Sequence, residues 1–176
     1  MGVPADLEAE GPPEDKEAVA RKILLDQLTG QARSRAELAV KLAGRGVPDE
    51  LAARLLDRFT EVGLIDDAAF AREWVRSRQA SRGLARRSLA LELKRKGIAD
   101  DVAAEALDEL DVTDEEATAR ELVRRKLRSM QSLADEVKVR RLAGMLGRKG
   151  YPPGLVFSVV RSEVATADCL GDPSID

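Results

Sequence analysis

The sequence predicts an all-α fold, an elongated tandem array of three three-helix repeats, and three observations carry that expectation. Charged residues make up 35% of the chain and aromatics only 3%, with Ala, Leu, Arg and Glu prominent, a mixture that favours helices with long polar faces over sheets. An opening phrase recurs as Ala20-Arg21-Lys22-Ile23-Leu24, Ala71-Arg72-Glu73-Trp74-Val75 and Ala119-Arg120-Glu121-Leu122-Val123. A second phrase follows each time, a leucine pair four residues apart and then a glycine: Leu38, Leu42 and Gly46; Leu89, Leu93 and Gly97; Leu142, Leu146 and Gly150.

Each copy divides into three short helices. In the first, Ala20, Ile23, Leu24 and Leu28 keep helical spacing until Gly30 interrupts it. Ser34 and Glu37 then form a capping box, in which each side chain satisfies an orphan amide of the new helix. That helix carries Leu38 and Leu42 and closes in the Gly44–Gly46 region, where a left-handed residue fits. Pro48 suits the first turn of the third helix, whose inner face is Leu51, Leu55, Leu56 and Phe59. The second copy starts with Asp66 or Asp67 as N-cap, buries Phe70, Trp74 and Val75, turns at Gly83 and runs through Leu89 and Leu93 to Gly97. The third starts with a capping box of Thr113 and Glu116, and its first helix is expected to reach Met130. The predicted boundaries are 15–64, 65–111 and 112–165, between a disordered acidic tail over 1–14 and a flexible tail over 166–176. A unit of about 50 residues buries little on its own, so stacking against a neighbour is the expected source of stability.

Several functions are argued against. The chain has no histidine, the commonest general base and metal ligand, and no glycine loop of the phosphate-cradling kinds. No nucleophile–base pair can be picked out, so an enzyme is not expected, and no cofactor or metal is implied. Asp66 and Asp67 are read as caps and Trp74 and Phe70 as core anchors. The single cysteine, Cys169, precludes an internal disulfide and points to a reducing compartment. No apolar run approaches the ~20 residues needed to span a bilayer, and the acidic N-terminus is unlike a signal peptide. The expectation is a cytoplasmic, monomeric protein.

The net charge of −3 conceals segregated blocks. Arg72–Lys96 holds nine basic residues against two acids, and every charge from Asp100 to Glu116 is negative. The central copy supplies Arg72, Arg76, Arg78, Arg82, Arg86, Arg87, Lys94, Arg95 and Lys96. The third supplies Arg120, Arg124 and Arg128 at helical spacing, with Arg125 and Lys126 beside them, then Lys138, Arg140, Arg141, Arg148 and Lys149. Part of this charge has a structural reading: Lys94–Lys96 and Arg148–Lys149 close helices, while Glu92 with Lys96 and Glu121 with Arg125 have the spacing of surface pairs. As a set, with the acids displaced into separate blocks, these residues suit a polyanion or an acidic groove. The scarcity of aromatics argues against base stacking.

Leu64-Ile65-Asp66-Asp67, then Phe70-Ala71, Trp74-Val75, Arg78, Gly83, Arg87, Leu89, Glu92-Leu93 and Lys96-Gly97-Ile98 resemble the central motif of the RecX family, regulators of the RecA recombinase. Ser34-Arg35, Glu37-Leu38, Leu42 and Gly46 fit its first repeat, and Arg141-Leu142, Leu146 and Arg148-Lys149-Gly150-Tyr151 its last, so the likeness spans roughly 16–164. It departs at Pro152-Pro153-Gly154, where a polar helix start is usual, and at Tyr151, where Phe is more common. The resemblance implies tandem three-helix repeats that lie in the groove of the RecA–DNA filament and inhibit ATP hydrolysis, strand exchange and coprotease activity. It also implies nonspecific binding to single- and double-stranded DNA, without a membrane partner. It makes Arg72, Arg76, Arg78, Arg82, Arg86, Arg87, Lys94 and Lys96 candidate RecA or DNA contacts.

Two other readings compete. In a winged-helix transcriptional regulator, Ser34–Asp67 would be a helix-turn-helix, which needs a β-hairpin after Ile65 where helix signals resume at once. In a pure scaffold, the basic faces would be solvated surface and bind nothing.

Overall fold

A computed structural model describes residues 13–170, with the side chains of 13, 14, 112, 113 and 168–170 outside the description. The described residues form nine helices and no strand: α1 Pro13–Gly30, α2 Arg35–Ala43, α3 Asp49–Glu61, α4 Asp67–Arg82, α5 Arg86–Arg95, α6 Asp100–Asp108, α7 Val112–Leu127, α8 Asp135–Arg148 and α9 Pro153–Leu170. The expectations for the acidic start and the end of the chain fall mainly on residues 1–12 and 171–176, outside the described residues, as do those for the side chains of Thr113 and Cys169. None of the described helices is long and apolar enough to cross a membrane.

The same local devices shape the middle helix of each repeat. The leucine pairs Leu38/Leu42, Leu89/Leu93 and Leu142/Leu146 are all fully buried. Each side chain contributes about 1.5–3 kcal/mol through removal from water. All three helices close with one bond pattern: Val47 N–H to Leu42 C=O at 3.1 Å, Ile98 to Leu93 at 3.1 Å and Tyr151 to Leu146 at 3.2 Å. This is a Schellman turn, and it requires a left-handed residue just before the donor. Gly46, Gly97 and Gly150 supply it at φ 70°, 72° and 90°. The donor residue then packs inward, and Val47, Ile98 and Tyr151 are each 4% exposed.

Capping fixes the other ends. Ser34 and Glu37 make both bonds of the expected capping box on α2. Asp66 is the cap of α4, accepting the Ala69 amide at 2.8 Å, while Asp67 is turned to another use described below. Pro48 sits one residue before α3 rather than inside it, and Pro153 opens α9 where its missing N–H costs nothing. Helix α7 stops at Leu127, short of the expected Met130. The chain tightens there into i→i−3 bonds, Ser129 to Lys126 at 3.1 Å and Met130 to Leu127 at 2.8 Å, and Met130 turns into the core. Helix α4 begins two residues after Ile65, leaving no room for the wing of the winged-helix alternative.

Packing divides the chain differently from the repeats. One compact unit reaches to Trp74 and includes Glu92–Ala103; the other consists of Val75–Leu91 and the chain from Ala104 on. In the first, Ala20 and Leu24 of α1, Leu38 and Leu42 of α2, and Leu55, Leu56 and Phe59 of α3 enclose a core closed by Ile65. In the second, Leu122, Val123 and Leu127 of α7, Leu142 and Leu146 of α8, and Val156, Val159, Val160 and Val164 of α9 form the core, with Ala85 and Tyr151 packed in. Residues of the second repeat belong to both units, because each contains one joint between successive repeats.

Candidate polyanion-binding surface

The two joints are built alike. In the first unit, the turn after α5 docks on the start of α2. Ser34 Oγ donates to the Lys96 carbonyl at 2.6 Å, and Gly97 lies so close that a Cβ there would collide with Ala36. The Arg35 amide donates to Asp67 Oδ1 at 2.8 Å, and its guanidinium pairs with Asp57 at 2.7 Å. In the second unit, the turn after α8 docks on the start of α5. The Ala85 amide donates to the Lys149 carbonyl at 2.9 Å, and a Cβ on Gly150 would meet the Ser88 amide nitrogen at 2.7 Å. The Arg86 amide donates to Glu115 Oε1 at 2.6 Å, and its guanidinium pairs with Asp108. Arg35–Asp57 and Arg86–Asp108 have the same separation of 22 residues, so one device is used twice.

The joints differ in charge. Lys96 Nζ lies 2.5 Å from Glu37 Oε1 and 4.5 Å from the centroid of the Trp74 ring. Trp74 is held in turn, its Nε1 donating to Glu92 at 2.9 Å and its ring stacking on Phe70 at 5.6 Å. Burial pushes the Glu37 carboxyl up, but the Lys96 ammonium and the Ser34 amide outweigh it and hold Glu37 below its ordinary value. Lys149 stands where Lys96 does, but Ser88 replaces Glu37 and Leu122 replaces Trp74. Its ammonium donates to the Arg82 carbonyl. Burial, then Arg125 and Arg82, push it below the ordinary lysine value. The second joint thus lacks the carboxylate that neutralises the lysine of the first.

Carboxylates within the protein claim several of the other expected contacts. Arg86 is a joint residue, bonded through both backbone and side chain. Arg124 pairs with the buried Glu163 at 2.7 Å, and Arg120 reaches the same carboxylate at 3.0 Å. The bond from Arg124 is the main reason the Glu163 carboxyl lies below its ordinary value. Lys138 is buried against Asp135 at 2.7 Å. The expected surface pairs are not formed: Lys96 goes to Glu37 and Glu92 to the Trp74 indole. Arg125 has no ion pair with Glu121 among the described residues, which leaves its charge to the second joint.

Arg72, Arg76, Arg78 and Arg82 each hold an interaction inside the protein. Arg87, Lys94, Arg95, Arg125, Arg128, Arg140, Arg141 and Arg148 are exposed. Arg125 and Arg82 both act on the charge of Lys149, as Arg120 acts on that of Arg124. Sequence reasoning missed Ser34, Arg35 and Tyr151 as joint residues; the recurrence of Arg and Asp at Arg35/Asp57 and Arg86/Asp108 was the available signal. No group of three potential metal ligands is found among the described residues.

Comparison with known proteins agrees with this architecture. Family models for the first, second and third three-helix domains of RecX match residues 20–59, 66–107 and 114–160. The regulatory protein RecX of Thermobifida fusca is 52% identical over 152 residues, covering 86% of this chain and 82% of that one. RecX of Streptomyces coelicolor is 51% identical over 165 residues, covering 92% and 88%. Among solved structures, RecX from Lactobacillus salivarius shares the fold with a TM-score of 0.77 at 19% identity, over 85% of this chain and 97% of that one. Three domain models matching in order, with relatives near half identity along most of their length, establish that the chain belongs to the RecX family of regulatory proteins.

Proposed function

We propose that this protein regulates the RecA recombinase by binding in the groove of the RecA–DNA filament, contacting protein and DNA through its basic faces. Seated there, it inhibits ATP hydrolysis, strand exchange and coprotease activity. It acts as a cytoplasmic, non-catalytic monomer with no cofactor of its own, and its contact with single- and double-stranded DNA is nonspecific.

Family membership supports RecA as the target. The observation that carries the electrostatic part is that Arg87, Lys94 and Arg95 of α5, Arg125 of α7, Arg128 just after it, and Arg140, Arg141 and Arg148 of α8 are each exposed to solvent. The mechanism is steric and mechanical. Within each unit a joint locks the turn of one repeat onto a helix of the preceding one, so a protein lying across adjacent protomers resists the rearrangements of nucleotide turnover and blocks incoming duplex.

The test is a titration into cognate RecA assembled on single-stranded DNA with ATP, following ATP hydrolysis beside a heat-inactivated control. Suppression well below one copy per RecA protomer is expected. Hydrolysis unchanged at severalfold excess, with filament formation verified, overturns the inhibitory reading.

A further inference from the structure

We infer that the second joint, where Lys149 meets Arg82 and Arg125 at the start of α5, is a binding site for the phosphodiester backbone of a nucleic acid. The inference deepens the function proposed above and rests on it for the source of the phosphate.

Both joints carry a lysine at the end of a middle helix, followed by a left-handed glycine and seated on the first turn of the preceding middle helix. Where backbone and turn are the same, a difference in charge belongs to the side chains. In the first joint the Glu37 carboxylate and the Trp74 face neutralise Lys96. In the second, Ser88 and Leu122 occupy those positions and neither carries charge. Lys149 has one bond, to the Arg82 carbonyl, and an ammonium has three donors, so donors remain for an anion. Glu115, which stands in the second joint where Asp67 stands in the first, is engaged by the Arg86 amide.

Burial and the neighbouring guanidiniums already work against the charge on Lys149, and a bound anion would relieve both. It would do for Lys149 what Glu37 does for Lys96. Its place beside Ser88, in the first turn of the ten-residue helix α5, adds the favourable end of the helix dipole. A phosphodiester suits the site because it keeps its negative charge at any working pH and presents two oxygens to a guanidinium such as that of Arg125. No aromatic side chain is needed, and the second joint has none beyond Tyr151, whose hydroxyl is committed to Gly83.

The experiment uses the full chain and a fluorescently labelled single-stranded oligonucleotide, with anisotropy followed across a salt series. Lys149→Gln and Arg125→Gln are each expected to weaken binding roughly fivefold at about 0.1 M salt and to flatten the log–log salt slope by about 0.7. Lys96→Gln, at the neutralised joint, is expected to change neither. Ser88→Glu, which supplies the missing carboxylate beside Lys149, is expected to weaken binding at least as much while thermal stability holds. Because Arg125 is exposed, its variant folds and keeps the test decisive if changes at the turn do not. Unchanged affinity in Lys149→Gln and Arg125→Gln, or no binding by the unaltered chain, overturns the inference. Variants that bind oligonucleotide normally but no longer suppress RecA ATP hydrolysis also overturn it, making the joint a protein contact while the regulatory reading stands. If the unaltered chain fails to suppress hydrolysis yet Lys149→Gln and Arg125→Gln lose affinity, the regulatory reading fails and the phosphate site stands.

Discussion

Ser34 and Lys96, sixty-two residues apart, are joined by a 2.6 Å hydrogen bond from the Ser34 hydroxyl to the Lys96 carbonyl. The same oxygen accepts the Glu37 amide at 3.2 Å, so one fully buried hydroxyl both caps α2 and holds the turn of the next repeat. Glu37 completes the arrangement by taking the Ser34 amide and the Lys96 ammonium on its two oxygens. A local helix cap has become part of an inter-repeat joint.

Ser34→Ala therefore removes more than a cap. An exposed N-cap serine is worth about 1 kcal/mol. Leaving the Lys96 carbonyl without its donor in a buried joint adds roughly 1–2 kcal/mol. Urea denaturation followed by Trp74, the only tryptophan, reports on this unit directly. A loss of about 2–3 kcal/mol is expected, and a loss below ~0.5 kcal/mol would show that the joint does not depend on the hydroxyl.

Sequence periodicity made the local half of this arrangement legible. The Leu38/Leu42 spacing, the Ser34–Glu37 cap and the glycine that closes each middle helix are patterns within one turn or two, set by backbone geometry. What lies opposite a helix face is not encoded that way. Lys96 and Glu92 have the spacing of a surface pair, yet Lys96 reaches across the joint to Glu37, and the Trp74 indole takes Glu92. For the same reason Arg86 and Arg124, alike in sequence to their exposed neighbours, prove to be committed to Asp108 and Glu163. The positive cluster at Lys149 emerges only when the two joints are compared side by side.

Gly97 and Gly150 should resist substitution for two additive reasons. Each sits at positive φ, where a Cβ costs about 1–2 kcal/mol, and each faces the preceding repeat without room for a methyl group. Gly97→Ala would drive against Ala36 and Gly150→Ala against Ser88, adding about 1–3 kcal/mol of overpacking. Gly147, inside α8 with nothing near its missing Cβ, is the contrasting case, and Gly147→Ala should stabilise by about 0.5–1 kcal/mol. Chemical denaturation of the three variants checks the ordering. A Gly97→Ala protein as stable as the unaltered chain would mean that the turn docks less tightly than its geometry indicates.

Tyr151, the only tyrosine, gives the second joint its own titration signal. Its ring is in the core and its hydroxyl donates to the Gly83 carbonyl at 3.0 Å. Burial first, and the Glu115 carboxylate second, push its phenol from 10.0 up to about 12. The folded protein therefore keeps a proton that the unfolded chain releases near pH 10, and in that window the folded state binds more protons. Stability contributed by the neutral phenol is complete below pH 10 and falls as pH rises toward 12. Tyr151→Phe should lose roughly 1–3 kcal/mol at neutral pH, because the Gly83 carbonyl loses its donor in a buried turn. The variant should lack this part of the alkaline decline, so the stability gap between the two proteins narrows as pH passes 10. Urea midpoints for both proteins across that range, with phenolate absorbance recorded in parallel, measure the gap. A phenol that ionises near 10.0 while the protein stays folded would place Tyr151 in water and dissolve the account of the joint built around it.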